Sequence, residues 1–578
     1  MSMNTRIKLN DAFKTQTLDQ DKVITPEETV IRFRERTRML DLKILKSTRR
    51  IDNGRLDIPV FFSECGTDAK DVIGTNKQMG KGADPAQAEA SAVMELAERY
   101  SFFSFKNNPE NFVVDTYGNV RKDAIPFDTI LQSVHDRGGD EGAKERLFQD
   151  LPLQWTRGFN LTREKEVLIP FNWFYMINEF NGPAAGNCVE EAICQGLSEL
   201  VERHTSSVVS HRRLSVPAID PDSATDPAVR EMVAKYRRAG IKFHISDFTL
   251  DMGIPTVAVL AYDPATFPGS SEIVWTAGTA PNPEKALSRA MTETAQLAGD
   301  FNTCSNYVAS GLPKFATLEQ ADYIINHQPL TPISDLPNLA DNNIRIEVER
   351  YVAALGQRGM DALLINTTHG GLQIPAFYTI LPGAHFRERA AQASLGMFAA
   401  RLITENFGPE EALARLDRME ALLPGRYYTR FYKGLSNLSL GDPKSAEQHL
   451  QAALDLDPAR LNVPDICSYL GVSLKEMGMY ERALAVLQRG EAVDPDRTDI
   501  HNLKGFCHFK MKNHEQAVAS FKRVIEIDPS SGIDYANVAV NLRALGRRDD
   551  AIHYYEQALM IDPSLDFARE HLEALKGV

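Results

Sequence analysis

Ser91-Ala-Val-Met-Glu95-Leu-Ala-Glu98-Arg99 decides how the chain is read, because two later stretches repeat its plan. They are Gln195-Gly-Leu-Ser-Glu199-Leu-Val-Glu202-Arg203 and Arg289-Ala-Met-Thr-Glu293-Thr-Ala-Gln296. Each places a polar residue at i, a glutamate at i+4 and a glutamate or glutamine at i+7. At about 100° per residue, such a trio spans about 60° of one helix face. In the second stretch Glu191 extends the stripe, so that Glu191, Gln195, Glu199 and Glu202 fall within about 80°. Carboxylates at this spacing are commonest on solvated faces. Here the stripe recurs three times among Ala, Leu and Val, each time after a strand, a turn and a capped helix start. That recurrence predicts three helices whose polar stripes meet in one cavity.

The helix starts are legible. Asp84 is a good N-cap, Pro85 suits the first helical position and Gln87 completes a capping-box pattern. Asn187 can cap the second striped helix, with Glu190 three residues on, and Asn282-Pro283 repeats the cap-plus-proline start. Strands are expected at 40–45, 57–63, 167–175, 242–246, 256–262, 272–277 (ended by Gly278), 361–366 and 374–381. Helices are expected at 26–38 and 348–358, and a loop-rich stretch at 106–165. Residues 1–25 read as a leader or peripheral strand, and 300–345 as irregular. Residues 1–405 form a mixed α/β (α+β) unit on this reading.

Beyond residue 400 the composition shifts to Leu, Ala, Glu and Arg at helical spacing. Asp457-Pro458, Asp494-Pro495, Asp528-Pro529 and Asp562-Pro563 recur every 34 to 37 residues. Gly434, Gly471, Gly505 and Ala539 keep the same register, as do Ala446, Ala483, Ala517 and Ala551. Small residues where helices touch, and proline ending the second helix of each pair, are the tetratricopeptide signature. The expected organisation is a domain at 1–405, a linker at 406–425 near Gly408-Pro409 and Pro424-Gly425, and an all-α repeat solenoid at 426–578.

A chain of 578 residues needs more than one core, and its net charge of −14 disfavours a nucleic-acid binder. Cys65, Cys188, Cys194, Cys304, Cys467 and Cys507 include no C-x-x-C pair, which argues against zinc and for reduced thiols in a cytoplasmic protein. The N-terminal stretch lacks the apolar run of a signal peptide, and no stretch is apolar enough to suggest a membrane span.

The stripes point to hard cations. Clustered carboxylates repel one another unless cations or donors compensate, and Mg2+ prefers carboxylate and phosphate oxygens. Glu95, Glu98, Glu199, Glu202 and Glu293 exceed the need of one Mg2+, and a nucleoside triphosphate clamped by several ions accounts for the excess. Arg203 and Arg289 would meet phosphate oxygens, and Gly80-Lys81-Gly82 offers backbone amides and one ammonium. His204, Cys188 and Cys194 read as structural, and the short basic cluster His211-Arg212-Arg213 as a solvated turn.

At these residues the sequence resembles the YcaO family. The resemblance is carried by Gly80-Lys81-Gly82 with S-x-x-x-E-x-x-E-R at Ser91–Arg99, by Asn181-Gly182 through Ala184-Ala185-Gly186-Asn187, by E-x-x-x-Q-x-x-x-E-x-x-E-R at Glu191–Arg203, by Ala286 to Gln296, and by Leu381-Pro382-Gly383. It implies an enzyme dependent on ATP and Mg2+ that phosphorylates the oxygen of a peptide-backbone amide. A side chain then gives an azoline, or sulfide a thioamide. On this resemblance Glu95, Glu98, Glu199, Glu202 and Glu293 would be Mg2+ ligands. Lys81, Ser91, Asn187, Glu191, Arg203 and Arg289 would contact ATP, and Gln296 would support the site. A homodimer acting on a peptide or protein is implied as well. The chain ends Leu575-Lys-Gly-Val rather than in the P-x-P-x-P tail of azoline-forming members, which moves the expectation toward thioamidation or an accessory role. The alternative is a non-catalytic scaffold whose repeats recruit a partner such as a methylthiotransferase.

Overall fold

The computed structural model describes residues 6–15, 21–134, 140–303, 312–325, 329–386 and 394–577. Cys304 lies outside them. The chain divides into two compact units, residues 1–137 with 152–393, and residues 138–151 with 394–578.

The described strands, all in the first unit, are β1 (Leu45–Arg50), β2 (Val60–Cys65), β3 (Lys77–Lys81), β4 (Val113–Thr116), β5 (Pro152–Asn160), β6 (Lys165–Pro170), β7 (Pro183–Ala185), β8 (Ala218–Asp220), β9 (Lys242–Asp247), β10 (Thr256–Tyr262), β11 (Val274–Thr279), β12 (Leu330–Pro332), β13 (Leu363–Asn366) and β14 (Ala376–Ile380). They form three sheets, in the orders β1-β2-β3, β4-β5-β13-β14-β7 with β6 on β5, and β11-β10-β9-β8-β12. Among these strands only the β8–β12 pair is parallel.

The three striped stretches are helices, at Pro85–Asn107, Val189–Arg212 and Pro283–Ala298. The first packs on β2 and β3, the second on β7 and β14, and the third on β10 and β11, so each sheet carries one. Close approach needs glycine. A Cβ on Gly80 of β3 would stand 2.0 Å from Ala92 N, and one on Gly278 of β11 2.4 Å from Ala286 O. On the second helix, a Cβ on Gly196 would meet Thr379 Oγ1 of β14 at 2.3 Å. The apolar faces of these helices fill the cores, with Val93, Leu96, Leu197, Leu200, Leu287 and Met291 fully buried.

Two of the three predicted caps form. Asp84 accepts from Gln87 N at 2.9 Å, and Asn282 from Glu284 N and Lys285 N at 2.8 and 3.2 Å. The Gln87 side chain accepts from Ala83 N rather than from the cap residue. The second helix departs from expectation. Its N-cap is Cys188, and the Asn187 side chain donates to Thr29 Oγ1 at 3.1 Å. Glu191 takes the Asn187 N–H instead, at 2.8 Å.

Other departures share a cause. The run at 167–175 is split at Pro170 into β6 and a helix, Phe171–Asn178, because a short apolar run carries no period that separates strand from buried helix. β1 lies at Leu45–Arg50 rather than 40–45, and β11 runs on through Gly278 to Thr279. The stretch read as loop-rich, 106–165, holds β4, β5 and helices Tyr117–Val120, Phe127–Gln132 and Glu141–Gln149.

In the second unit the helices pair as Tyr427–Ser439 with Pro443–Asp455, Val463–Glu476 with Tyr480–Glu491, Thr498–Lys510 with His514–Ile527, and Gly532–Ala544 with Arg548–Ile561, before a last helix, Asp566–Lys576. Each Asp-Pro step closes a pair. The small residues sit at the contacts: a Cβ on Gly434, Gly471 or Gly505 would meet Leu450, Leu487 or Phe521 at 2.6 to 2.7 Å. The stretch expected as linker, 406–425, is mostly helix, Pro409–Leu422, which buries Ala412, Leu416 and Met419. It packs against Leu395–Asn406, and both pack against Glu141–Gln149. Among the described residues no helix is long and apolar enough to cross a membrane.

Candidate functional site

The three striped helices enclose a cavity of about 450 Å3 in the first unit. All twelve residues singled out in the sequence line it: Lys81, Ser91, Glu95, Glu98, Asn187, Glu191, Glu199, Glu202, Arg203, Arg289, Glu293 and Gln296. The solvated-face alternative is excluded for the stripes. Glu191 and Glu202 are 2% and 5% exposed, and the Glu98 and Glu293 side chains 16% and 14%.

Basic groups are interleaved with the acids. Lys81 Nζ stands 2.5 Å from Glu293 Oε2. Arg203 approaches Glu202 at 3.4 Å and, one turn back, Glu199 at 3.8 Å. Arg289 Nη1 donates to Gln195 Oε1 at 2.8 Å, which joins the second and third helices across the cavity. Gly182 N donates to Glu199 Oε2 at 3.1 Å, so the turn before β7 also orients an acid.

Burial dominates the protonation of this cluster. It pushes Glu98 up to about 8, against the pull of Arg99 and with the push of Glu199 and Glu95. Glu202 is lifted to about 7 by burial, with Arg203 opposing and Glu293 reinforcing. Glu95 rises for the same reason, with Arg99 and Lys81 opposing. Buried acids that resist ionisation one beside another are groups that a divalent cation would deprotonate and hold.

The sequence assigns no role to several residues that line the cavity, among them Asp21, Lys22, Ile24, Arg99 and Lys285. Asp21, Lys22 and Ile24 belong to the segment expected to be peripheral, and beside them Val23 N donates to Glu191 Oε1 at 2.6 Å. Lys285 is depressed to about 7 by burial, Arg289 and Lys14. With Lys22, Arg99 and Lys285 included, the lining holds seven acids and six bases, so the cage is closer to neutral than the stripes alone imply. Lone basic residues carry no periodic signal, whereas the helical start around Asn282 could have flagged Lys285, one turn before Arg289.

His204 is 7% exposed and does not line the cavity. Its Nδ1 accepts from His385 N at 2.9 Å, and the two rings stack at 5.3 Å. Cys188 and Cys194 are driven up to about 12, chiefly by burial, and are inert thiols at neutral pH.

Among the described residues no three His, Cys, Asp or Glu side chains stand close enough to hold an ion as they are placed, since the acids turn to Lys81, Arg99 and Arg203. The donor chemistry nevertheless fits Mg2+: five carboxylates from three helices, with neither thiolate nor imidazole among them. Arg99 Nη1, buried without a hydrogen-bond partner, leaves a donor for an oxygen-rich ligand.

The model of one protein family, described as YcaO cyclodehydratase, ATP- and Mg2+-binding, matches residues 79–385. The chain belongs to the YcaO family. Tetratricopeptide-repeat models match residues 437–505, 498–531 and 535–565. An uncharacterized protein of Methanothermobacter thermautotrophicus is 26% identical over 381 residues, 63% of this chain and 94% of that one. The ribosomal protein S12 methylthiotransferase accessory factor YcaO of Escherichia coli is 32% identical over 320 residues, 49% of this chain and 50% of that one, so the chain spans half the length of that relative. A heterocyclase solved in complex with substrate and cofactor shares the fold, at 24% identity and a TM-score of 0.54, over 68% of this chain and 56% of that chain. All three stripes of the YcaO domain fall inside the matched range.

Proposed function

We propose that this chain is an ATP- and Mg2+-dependent enzyme that activates a backbone amide of a peptide or protein by phosphorylating its oxygen. The observation that carries the reading is the convergence of five glutamates, from helices that lie on three separate sheets, on one largely buried cavity interleaved with Lys81, Arg203 and Arg289. Membership of a family described as ATP- and Mg2+-binding supports it.

In this reading Glu95, Glu98, Glu199, Glu202 and Glu293 hold Mg2+, and Ser91, Asn187, Glu191, Lys81, Arg203 and Arg289 contact the nucleotide. Bound Mg2+ and ATP supply the phosphoryl group that converts the amide oxygen into a leaving group. The chain's own residues organise the site. Gln195 aims Arg289. Glu293 holds Lys81 at the cavity wall. Glu191, fixed by the N–H groups of Val23 and Asn187, ties the N-terminal segment to the second helix and so shields the cavity from water. Gln296, one turn beyond Glu293 on the same face, supports the wall. The nucleophile is sulfide, giving a thioamide, or a Cys, Ser or Thr side chain of the substrate, giving an azoline. The repeats recruit the protein partner, by the extended surface that stacked helix pairs present.

Two measurements test this. Glu199→Ala with Glu202→Ala should abolish Mg2+-dependent ATP binding in calorimetry, and unchanged affinity would count decisively against it. Intact-mass comparison of proteins in cells with and without the chain should show a gain of about 16 Da (oxygen to sulfur) or a loss of about 18 Da (cyclisation), as atom counting requires when the amide oxygen leaves. No mass difference, with ATP binding intact, would favour the scaffold alternative.

A further inference from the structure

The Glu-Arg step occurs twice, at Glu98-Arg99 and Glu202-Arg203, but the two arginines are placed differently. Arg203 folds back on its own stripe, within reach of both Glu202 and Glu199. Arg99 approaches Glu98 at 3.5 Å through Nε, while its Nη1 is buried with no hydrogen-bond partner. Its guanidinium carbon lies 5.4 Å above the ring of Phe180. Phe180 is 45% exposed and packs against Phe103 and Tyr175 at centroid distances of 5.9 and 6.3 Å. Lys106 Nζ sits 4.8 Å above the Tyr175 ring. Arg99 lines the cavity, so it stands where the buried acids give way to a partly exposed aromatic surface.

A buried donor without an acceptor is disfavoured, and a catalytic role or a ligand oxygen is among the reasons native structures keep one. The ligand here is an oxygen rather than a cation, because the free edge is a guanidinium N–H. Lys81, Arg203 and Arg289 already supply positive charge to the phosphates in the proposed function. Arg99 differs from them in facing the aromatic side. Aromatic faces beside a planar cation suit an extended peptide, whose side chains lie on the rings and whose carbonyl oxygens accept hydrogen bonds.

We propose that Arg99 contacts the substrate: its Nη1 donates to the oxygen of the amide being activated, while the flanking peptide rests on Phe103, Tyr175 and Phe180. This rests on the amide-activation reading. The bond strengthens in the step that follows phosphorylation, when the nucleophile has added to the amide carbon, the C–O bond breaks and negative charge gathers on the oxygen leaving with the phosphate, so Arg99 favours that transition state over the ground state.

The test uses the full-length chain with Arg99→Gln, Arg99→Lys and Phe180→Ala. Two readouts separate the possibilities: the affinity for Mg2+ with the non-hydrolysable analogue AMPPCP, by calorimetry, and the mass-shifted fraction of cellular proteins when each variant replaces the wild type. Arg99→Gln should keep AMPPCP affinity within about twofold and cut the mass-shifted fraction at least about tenfold, the pattern of a lost transition-state contact. Arg99→Lys should recover only part of it, since an ammonium lacks the planar fork. Phe180→Ala should lower the modified fraction, and overproducing the variant should restore it, as for a binding defect. Should Arg99→Gln fail to fold, the Phe180→Ala result decides alone. A tenfold loss of AMPPCP affinity in Arg99→Gln would place Arg99 among the nucleotide contacts and overturn the proposal, leaving the amide-activation reading intact. A wild-type modified fraction in Arg99→Gln or Phe180→Ala would overturn it as well. No mass shift with the wild-type chain would remove the amide-activation reading and this inference with it.

Discussion

At the scale of single residues, the acids of the cavity are held against their own preference. Glu98 and Glu202 keep protons in the folded chain up to about 8 and about 7, against a carboxylate value of 4.5. The folded state therefore binds more protons than the unfolded state between pH 4.5 and those values, and stability is lost as pH rises through that window. Glu98→Gln removes one such group. Without metal or nucleotide, the variant should melt above the wild type, by on the order of 1–3 kcal/mol at pH 8, and the gap should widen steadily from about pH 5 to about pH 8. Scanning calorimetry of both proteins at several pH values measures it. A gap that stays constant with pH would mean that Glu98 ionises freely. Adding Mg2+ and ATP should reverse the order, because the wild-type carboxylate then has a cation to bind and glutamine does not. The twelve residues of the candidate site are legible in the sequence because most of them repeat at helical spacing. Lys22 is not, since a single basic residue has no period. Arg99 and Lys285 stand at readable positions, at the end of the first stripe and one turn before Arg289, but their place on the wall depends on tertiary packing.

At the scale of elements, the device that brings the stripes together is a glycine wherever a helix crosses a strand. Gly80 and Gly278 do this from the strand side and Gly196 from the helix side. Gly278 sits in β11 under the turn that holds Ala286 to Ala290. An alanine there would stand 2.4 Å from Ala286 O and 2.7 Å from Ala290 N, both backbone atoms, so the third helix must move outward. Arg289 and Glu293 move with it. Gly278→Ala should destabilise the first unit by about 1–3 kcal/mol and weaken Mg2+-dependent ATP binding at least about tenfold, as overpacking at a rigid contact does. Urea unfolding and calorimetry check the two effects, and a variant with wild-type affinity would show that the helix position does not set the site. The capped starts at Asp84 and Asn282 are legible because a side chain bonding its own helix is a local event. The second start is not. Asn187 has the residue type of a cap, but Thr29, distant in sequence, takes its side chain. Pro170 likewise marks a break, yet the helix beyond it is settled by burial of Phe171, Trp173 and Phe174 rather than by any period.

At the scale of the whole molecule, the repeats are visible from end to end because each contacts mainly its neighbours, which preserves the period in the sequence. The start of the second unit is not visible. The helices Leu395–Asn406 and Pro409–Leu422 precede the first Asp-Pro step and carry no repeat signal, and the short helix Glu141–Gln149 reaches the same unit from far upstream. That helix buries Ala143, Leu147 and Phe148, and Phe148 is fully buried. It therefore belongs energetically to the second unit although it lies between strands of the first. Phe148→Ala in the full-length chain should cost about 3–5 kcal/mol, the range for truncating a fully buried aromatic. The loss should fall on one transition only. Heating the protein with and without Mg2+ and ATP identifies the transition of the first unit, since only a ligand-binding unit gains stability by mass action. Phe148→Ala should lower the other transition and leave the ligand-dependent one within about 0.5 kcal/mol, as expected for sites that share no partners. If the ligand-dependent transition falls instead, Glu141–Gln149 supports the cavity-bearing unit, and the division of the chain at residues 138 and 151 has to be redrawn.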